Sequence, residues 1–239
     1  QIACWFGKAK SERLASFPGN AEYKFVDFNT STASQPNLSG LSIVVPYFNM
    51  ETQFAFTVDK FNAAAAAGAK IYIIDDGSKI GLAQTETCEL LHETIEYVRT
   101  FNFGAGSARN LGLSYVQSEF VLFFDADDSL DIANLSFALE QCRREKFDFI
   151  VLPFTHLEIS KGKLREFVKP KYNEQINCRS DEEFAKVFCP QIDASSCNKI
   201  IRCEFLQSRN ICFPSNYRLE DVAFNAMCHG GAGSVGVGN

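Results

Sequence analysis

From Leu41 onward the chain alternates short, fully apolar runs with segments whose apolar residues recur at helical spacing. "LSIVVPYFN", from Leu41 to Asn49, is a strand-length run ending near Pro46. Phe54, Val58, Phe61 and Ala65 then recur every three to four residues until Gly68, the signature of an amphipathic helix stopped by glycine. "KIYIIDDGS" is a second strand closed by an Asp-Gly turn signal. Next come a helix in "CELLHETI", a strand in "EYVRTF", a helix in "GSARNLGLSYVQ", a strand in "EFVLFFDADD" and a helix in "DIANLSFALEQCRREK". Further on, "FDFIVLPFTHLEISKGKLREFV" reads as strands, and "DEEFAKVF" and "LEDVAFNAM" as helical pieces. Residues 1–40, ending in the polar "NTSTASQPNLSG", read as an arm or linker, and "GGAGSVGVGN" as a flexible tail. Residues 41–239 are expected to form one catalytic domain.

Strands alternating with helices imply an α/β fold, a mostly parallel sheet with helices on both faces, and continuously apolar strands fit burial on both sides. Ligands of such sheets gather beyond the carboxyl ends of the strands. Pro46, the Asp75/Asp76 pair and the carboxylates of Asp125, Asp127 and Asp128 should all emerge there.

Composition narrows the choice of ligand. At 239 residues, with 46% hydrophobic and 22% charged residues, the chain can bury one sizeable core. A net charge of -6 argues against nucleic acid as a partner, because that affinity rests on clustered Lys and Arg. No apolar run approaches the roughly 18 residues of a membrane span. The first residue is Gln1, and the chain is expected to be a piece of a longer protein. Nine cysteines without a C-x-x-C pair read as reduced and buried, which places the protein in the cytoplasm, with peripheral association at the cytoplasmic face of a membrane left open. The N-x-S/T triplets at Asn29, Asn37 and Asn134 do not establish secretion.

Three carboxylates in "DADD" repel one another unless a cation sits among them. Strand alternation would put Asp125 and Asp127 on one side, the usual carboxylate arrangement for Mg2+ or Mn2+ held together with diphosphate oxygens. The competing reading makes Asp128 or Ser129 the cap of the following helix. At the cleft end of a strand, Asp75 and Asp76 can accept hydrogen bonds from a base imide or a ribose hydroxyl, or merely close a turn. "FGAGSARNLG" has Arg109 where a dinucleotide fingerprint needs glycine, so Gly104 and Gly106 are read as turning the chain into a helix. Arg109, one turn inside, would contact a base or pair with Asp75 and Asp76. Glu220 and Asp221 precede an apolar helical pattern, where a helix cap is the ordinary explanation. His229 is a weaker candidate metal ligand.

Taken in order, "VVPYFN", "DDGS", "NFGAGSARNLG", "DADD", "CNKIIR" and "LEDVAF" resemble the motifs of the family 2 glycosyltransferases of GT-A fold over roughly residues 41–228. The resemblance implies a metal-dependent, inverting transfer of a sugar, of the hexosyl or N-acetylhexosaminyl class, from a UDP-sugar to a hydroxyl of a glycan or other acceptor, as in polysaccharide biosynthesis. It implies a donor site comprising Pro46, Tyr47, Phe48, Asp75, Asp76, Gly104, Arg109, Asp125 and Ala126. Asp125 would contact the ribose and Asp127 the Mn2+ or Mg2+. Asp221 would be the general base, supported by Glu220, with Asn198 and Lys199 near the sugar and acceptor. Met50 and the cysteine of "CNK" depart from the family pattern outside this catalytic set.

A sugar-nucleotide nucleotidylyltransferase would need a basic, Gly-rich loop near the first strand, and "VVPYFNMETQ" has no Lys or Arg. A non-catalytic nucleotide- or glycan-binding module would not require Asp127 and Asp221.

Overall fold

A computed structural model of the chain describes residues 22–28, 35–153, 155–160, 163–168, 195–215 and 219–238. The strands are β1 (Glu22–Val26), β2 (Leu41–Tyr47), β3 (Lys70–Asp75), β4 (Ile95–Arg99), β5 (Phe120–Phe123), β6 (Phe149–Val151), β7 (Thr155–Ser160), β8 (Lys163–Val168), β9 (Lys199–Arg202) and β10 (Ser234–Gly238). The helices are α1 (Glu51–Ala66), α2 (Glu86–Glu89), α3 (Ala105–Tyr115), α4 (Ile132–Glu145), α5 (Cys203–Ser208) and α6 (Glu220–Gly231).

Eight strands form one sheet in the order β1-β10-β6-β9-β5-β2-β3-β4. Only β9 runs antiparallel to its neighbours, β5 and β6. β7 and β8 form a separate antiparallel pair. Successive strand residues face opposite sides, which divides the core in two. Ile43, Val45, Ile71, Ile73, Phe120 and Leu122 pack in one cluster with Phe54 and Phe61 of α1 and Leu139 of α4. Val44, Tyr72, Ile74, Val121 and Phe123 pack in the other with Ala108 of α3, Phe205 of α5 and Phe224 of α6. The strands are continuously apolar because both of their faces meet helices.

The helix expected in "CELLHETI" shortens to the four residues of α2, and β4 starts at Ile95. The strand expected through Asp128 ends at Phe123. Two corrections are larger. Residues 22–26, within the stretch read as an arm, pair with β10 in parallel register from Glu22–Ser234 to Val26–Gly238. The tail read as flexible is β10 itself, held between β1 and β6. Its glycines are there for space: a Cβ on Gly236 would lie 2.6 Å from the Phe147 ring, and one on Gly238 2.6 Å from Phe28 and from Pro153. "DEEFAKVF", Cys4, Cys178, Cys189 and Asn29 lie outside the described residues. Among the described residues no disulfide joins the six cysteines to one another. Among the described residues no helix is long and apolar enough to cross a membrane.

Candidate functional site

Parallel strands bring the turns after β2, β3 and β5 to one end of the sheet, where hydrogen bonds join the first two. The Asp76 amide donates to the Tyr47 carbonyl at 2.8 Å, the Asn49 amide to Ser78 Oγ at 2.9 Å and the Lys79 amide to Asn49 Oδ1 at 2.8 Å. Asp75, fully buried, accepts the Ser78 amide at 2.8 Å and the Tyr97 hydroxyl at 2.6 Å, with Arg99 Nε 3.9 Å away. Burial raises its pKa, but the hydrogen bonds from Tyr97 and Ser78 and the Arg99 charge outweigh it, and the carboxyl ends below its ordinary value. Asp76, also buried, accepts the amides of Phe103 and Gly104 at 2.9 and 2.7 Å, fixing the entry to α3. Both carboxylates of the pair thus have partners inside the fold. Pro46 is half-buried and Phe48 is 44% exposed, whereas Tyr47 points into the core against Phe54. Burial, with the charges of Glu51 and Asp75, pushes the Tyr47 hydroxyl up to about 12.

The entry to α3 explains its glycines. Gly104 has φ +89°, a left-handed conformation that favours glycine, and a Cβ on Gly106 would lie 3.0 Å from Glu220 Cγ. The close approach of α6 that Gly106 allows brings Arg109 to Glu220 and Asp221. Arg109 is the hub of the site. Its buried guanidinium donates from Nη2 to Asp125 Oδ1 at 2.8 Å, and from Nη1 to Asp221 Oδ1 at 3.0 Å and Glu220 Oε1 at 3.2 Å. These partners replace the expected pairing with Asp75 and Asp76: the latter face the turn and the α3 entry, whereas Arg109, one turn inside the helix, faces β5 and α6. Below it, Arg109 Cζ lies 5.3 Å from the centroid of Phe213, which stacks on Phe224 at 3.9 Å. Asn110 holds Phe213 in place, donating to its carbonyl at 2.7 Å and accepting its amide at 2.9 Å.

Beyond Phe123 the chain leaves the strand and turns, with the Asp128 amide donating to the Asp125 carbonyl at 3.2 Å. Strand alternation therefore stops before the acidic group. The turn brings Asp125 and Asp128, three residues apart, into one group of ligand atoms; Asp127 is exposed and Ala126 buried. Asp125, Asp128 and Cys197 each present a ligand atom, all within 4.8 Å of one another, a donor set that fits a divalent cation. The cap of α4 is Asp131, whose Oδ1 accepts the Asn134 amide at 3.0 Å, so helix capping does not explain Asp128.

Cys197 comes from the turn before β9. Lys199, fully buried, braces that turn by donating to the Ser195 carbonyl at 2.7 Å and Asn198 Oδ1 at 2.8 Å. Burial first, and then the charges of Asp125 and Asp128, push the Cys197 thiol up to about 12. The same turn supplies Ser196, whose hydroxyl donates to Asp221 Oδ1 at 2.8 Å. Asp221 lies in the first turn of α6, whose cap residue, Leu219, makes no side-chain cap bond. The carboxylate of Asp221 is committed to Arg109 and Ser196. Burial raises its pKa; Arg109 and Ser196 pull it down, Glu220 and Asp125 push it back up, and the balance lies above the ordinary value. His229 is buried edge-on against Phe149 at 4.8 Å, with its pKa held well down by burial and by Lys199, and it is absent from the acidic cluster. Ser196 and Cys197 have no sequence pattern that reveals a role; only the β9 turn brings them to the site.

The profile of Glycosyl transferase family 2 matches residues 42–209. The chain is 29% identical over 118 residues to a cholesterol galactosyltransferase of Borreliella burgdorferi, covering 48% of this chain and 32% of that protein. It is 22% identical over 195 residues to the uncharacterized glycosyltransferase EpsJ of Bacillus subtilis, covering 77% and 54%. Of the curated relatives it matches, it thus spans about half the length or less. A structure of S. aureus TarS in complex with UDP-GlcNAc superposes with a TM-score of 0.64 at 21% identity, covering 82% of this chain and 55% of that one. The fold is that of the GT-A glycosyltransferases.

Proposed function

Because the chain belongs to glycosyl transferase family 2, we propose that it carries the catalytic site of an inverting glycosyltransferase, taking its sugar from a UDP-sugar and passing it to an acceptor hydroxyl. The observation that carries the reading is the Arg109 hub. One buried guanidinium lies 2.8 Å from Asp125, on the turn after β5, and 3.0 Å from Asp221, at the start of α6. A carboxylate suited to the donor's ribose, or to a cation that binds its diphosphate, and a carboxylate suited to the acceptor's proton are thus held by one guanidinium, which fixes their relative positions for an in-line displacement. The UDP-GlcNAc bound by TarS supports a nucleotide-sugar donor.

Nucleoside binding is assigned to the strand-end surface of Pro46 and Phe48 and to the α3 entry at Gly104, which Asp75 and Asp76 hold in shape. Asp125 and Asp128, with Asp127 on the exposed side of the same turn, would hold Mn2+ or Mg2+. When bound, the cation supplies charge neutralisation for the leaving diphosphate. Asp221 accepts the acceptor proton. Its raised pKa adds basicity, and at neutral pH Arg109 and Ser196 keep the carboxylate oriented. Glu220 shares the Arg109 charge and keeps Asp221 from monopolising it.

The test is a donor screen with UDP-, GDP- and dTDP-sugars in Mn2+ and in EDTA, reading nucleotide release with and without glycan acceptors. UDP-sugars should turn over in Mn2+ alone, and Asp125→Asn should erase the difference between Mn2+ and EDTA. Equal UDP affinity under both conditions would remove the metal from the reading.

A further inference from the structure

The turn before β9 brings to the acidic site one group that neither donor binding nor base catalysis uses, the Cys197 thiol. Its sulfur belongs to the same set of ligand atoms as Asp125 and Asp128, within 4.8 Å of both. The thiol is held in place rather than presented on a loose loop. Ser195 Oγ lies 2.7 Å from Sγ, and buried Lys199 anchors Ser195 and Asn198 on either side.

We propose that Cys197 is a sulfur ligand of the donor-site cation, so that this site prefers thiophilic divalent ions such as Cd2+ and Zn2+ over Mg2+. The proposal rests on the reading that Asp125 and Asp128 hold that cation. Two carboxylates alone make a hard site, suited to Mg2+ or Mn2+; a sulfur third donor shifts preference toward softer ions. Ligand atoms around one four-coordinate ion sit roughly 3–4 Å apart at ordinary zinc–ligand lengths. A set already within 4.8 Å needs little closure to reach that spacing. Binding exchanges the thiol proton for the metal: the S–H bond breaks, an S–metal bond forms and one proton passes to solvent.

Cadmium titration in the presence of UDP tests this, reading the sulfur-to-cadmium charge-transfer absorption and UDP affinity in wild type, Cys197→Ser and Asp125→Asn. Other cysteines also bind cadmium, so the readout is the UDP-dependent component that differs between wild type and Cys197→Ser. Cys197→Ser should lose that component and shift the ratio of Cd2+-supported to Mg2+-supported UDP affinity about tenfold or more toward Mg2+. If Cys197→Ser matches wild type with Cd2+ while Asp125→Asn loses cation-supported UDP binding, the carboxylate site stands and the sulfur ligand is refuted. If Asp125→Asn retains cation-supported binding, the site itself is refuted and the sulfur ligand with it.

Discussion

Two groups of carboxylates leave the same end of the sheet, and the fold treats them differently. At the end of β3, Asp75 and Asp76 are buried, and their oxygens accept from Ser78, Tyr97, Phe103 and Gly104. At the end of β5 and the start of α6, Asp125, Glu220 and Asp221 are 39%, 19% and 32% exposed and share one guanidinium. The first group builds the turns that shape the cleft. The second keeps part of its surface toward solvent and its charge only partly compensated, the condition in which a carboxylate can meet a cation or a proton. Both groups are carboxylates; what differs is that backbone amides and the Tyr97 hydroxyl saturate the first inside the fold, with Arg99 3.9 Å from Asp75, whereas the second shares one buried guanidinium among three.

Removing the shared cation should separate the groups most sharply. Arg109→Met leaves three carboxylates in one another's field without their buried partner, and a loss of about 2–4 kcal/mol in stability is expected together with loss of transfer. Thermal unfolding and turnover on one preparation measure both, and a mutant as stable as wild type would mean that the hub does not hold the second group together. Asp221→Asn retains size and hydrogen bonding but not basicity. It should unfold near the wild-type temperature, bind UDP with metal normally and transfer sugar at least about a hundredfold more slowly. Normal turnover would move Asp221 to the structural group.

The first group should respond chiefly in stability, with any effect on transfer confined to donor KM. Asp75→Asn is expected to cost about 1.5–3 kcal/mol while leaving kcat close to wild type. The sign of its pH dependence follows from its lowered pKa. The stabilisation is complete above the unfolded value, about 3.9, and is lost as pH falls through the lower folded value. The gap in denaturant midpoint between wild type and Asp75→Asn should therefore hold from pH 7 to about pH 5 and close only below about pH 4. A gap that closes near neutrality would break the assignment. Gly104→Ala is the smallest test. Nothing lies within 4 Å of the added Cβ, but φ is +89°, so about 1 kcal/mol of stability should be lost through backbone conformation alone. No measurable change would show that the α3 entry tolerates an L-residue.

The alternation of apolar strands and periodic helices was enough to read the parallel α/β core, because strands buried on both faces must be apolar throughout. It could not reveal that "GSVGVG" is a strand of the sheet. Glycine is a poor strand former, and the reason for it at Gly236, the Phe147 ring 2.6 Å from its absent Cβ, comes from a residue far away in the chain. The acidic turn shows the same limit. Its charge repulsion was legible and called for a cation, but the alternation used to choose Asp125 and Asp127 assumed a strand that ends at Phe123.

The sequence by itself determined the layers of the fold, the end of the sheet where the acidic turns collect and the residue types found there, since burial periodicity and charge repulsion are local properties. Only the tertiary structure decided which carboxylates are saturated inside the fold and which share a guanidinium, that Arg109 faces Asp125, Glu220 and Asp221, that Ser196 bonds Asp221, and that Cys197 joins Asp125 and Asp128. Those assignments depend on how α3, α6 and the turn before β9 pack against the end of β5, contacts between segments so distant in the chain that no local pattern encodes them.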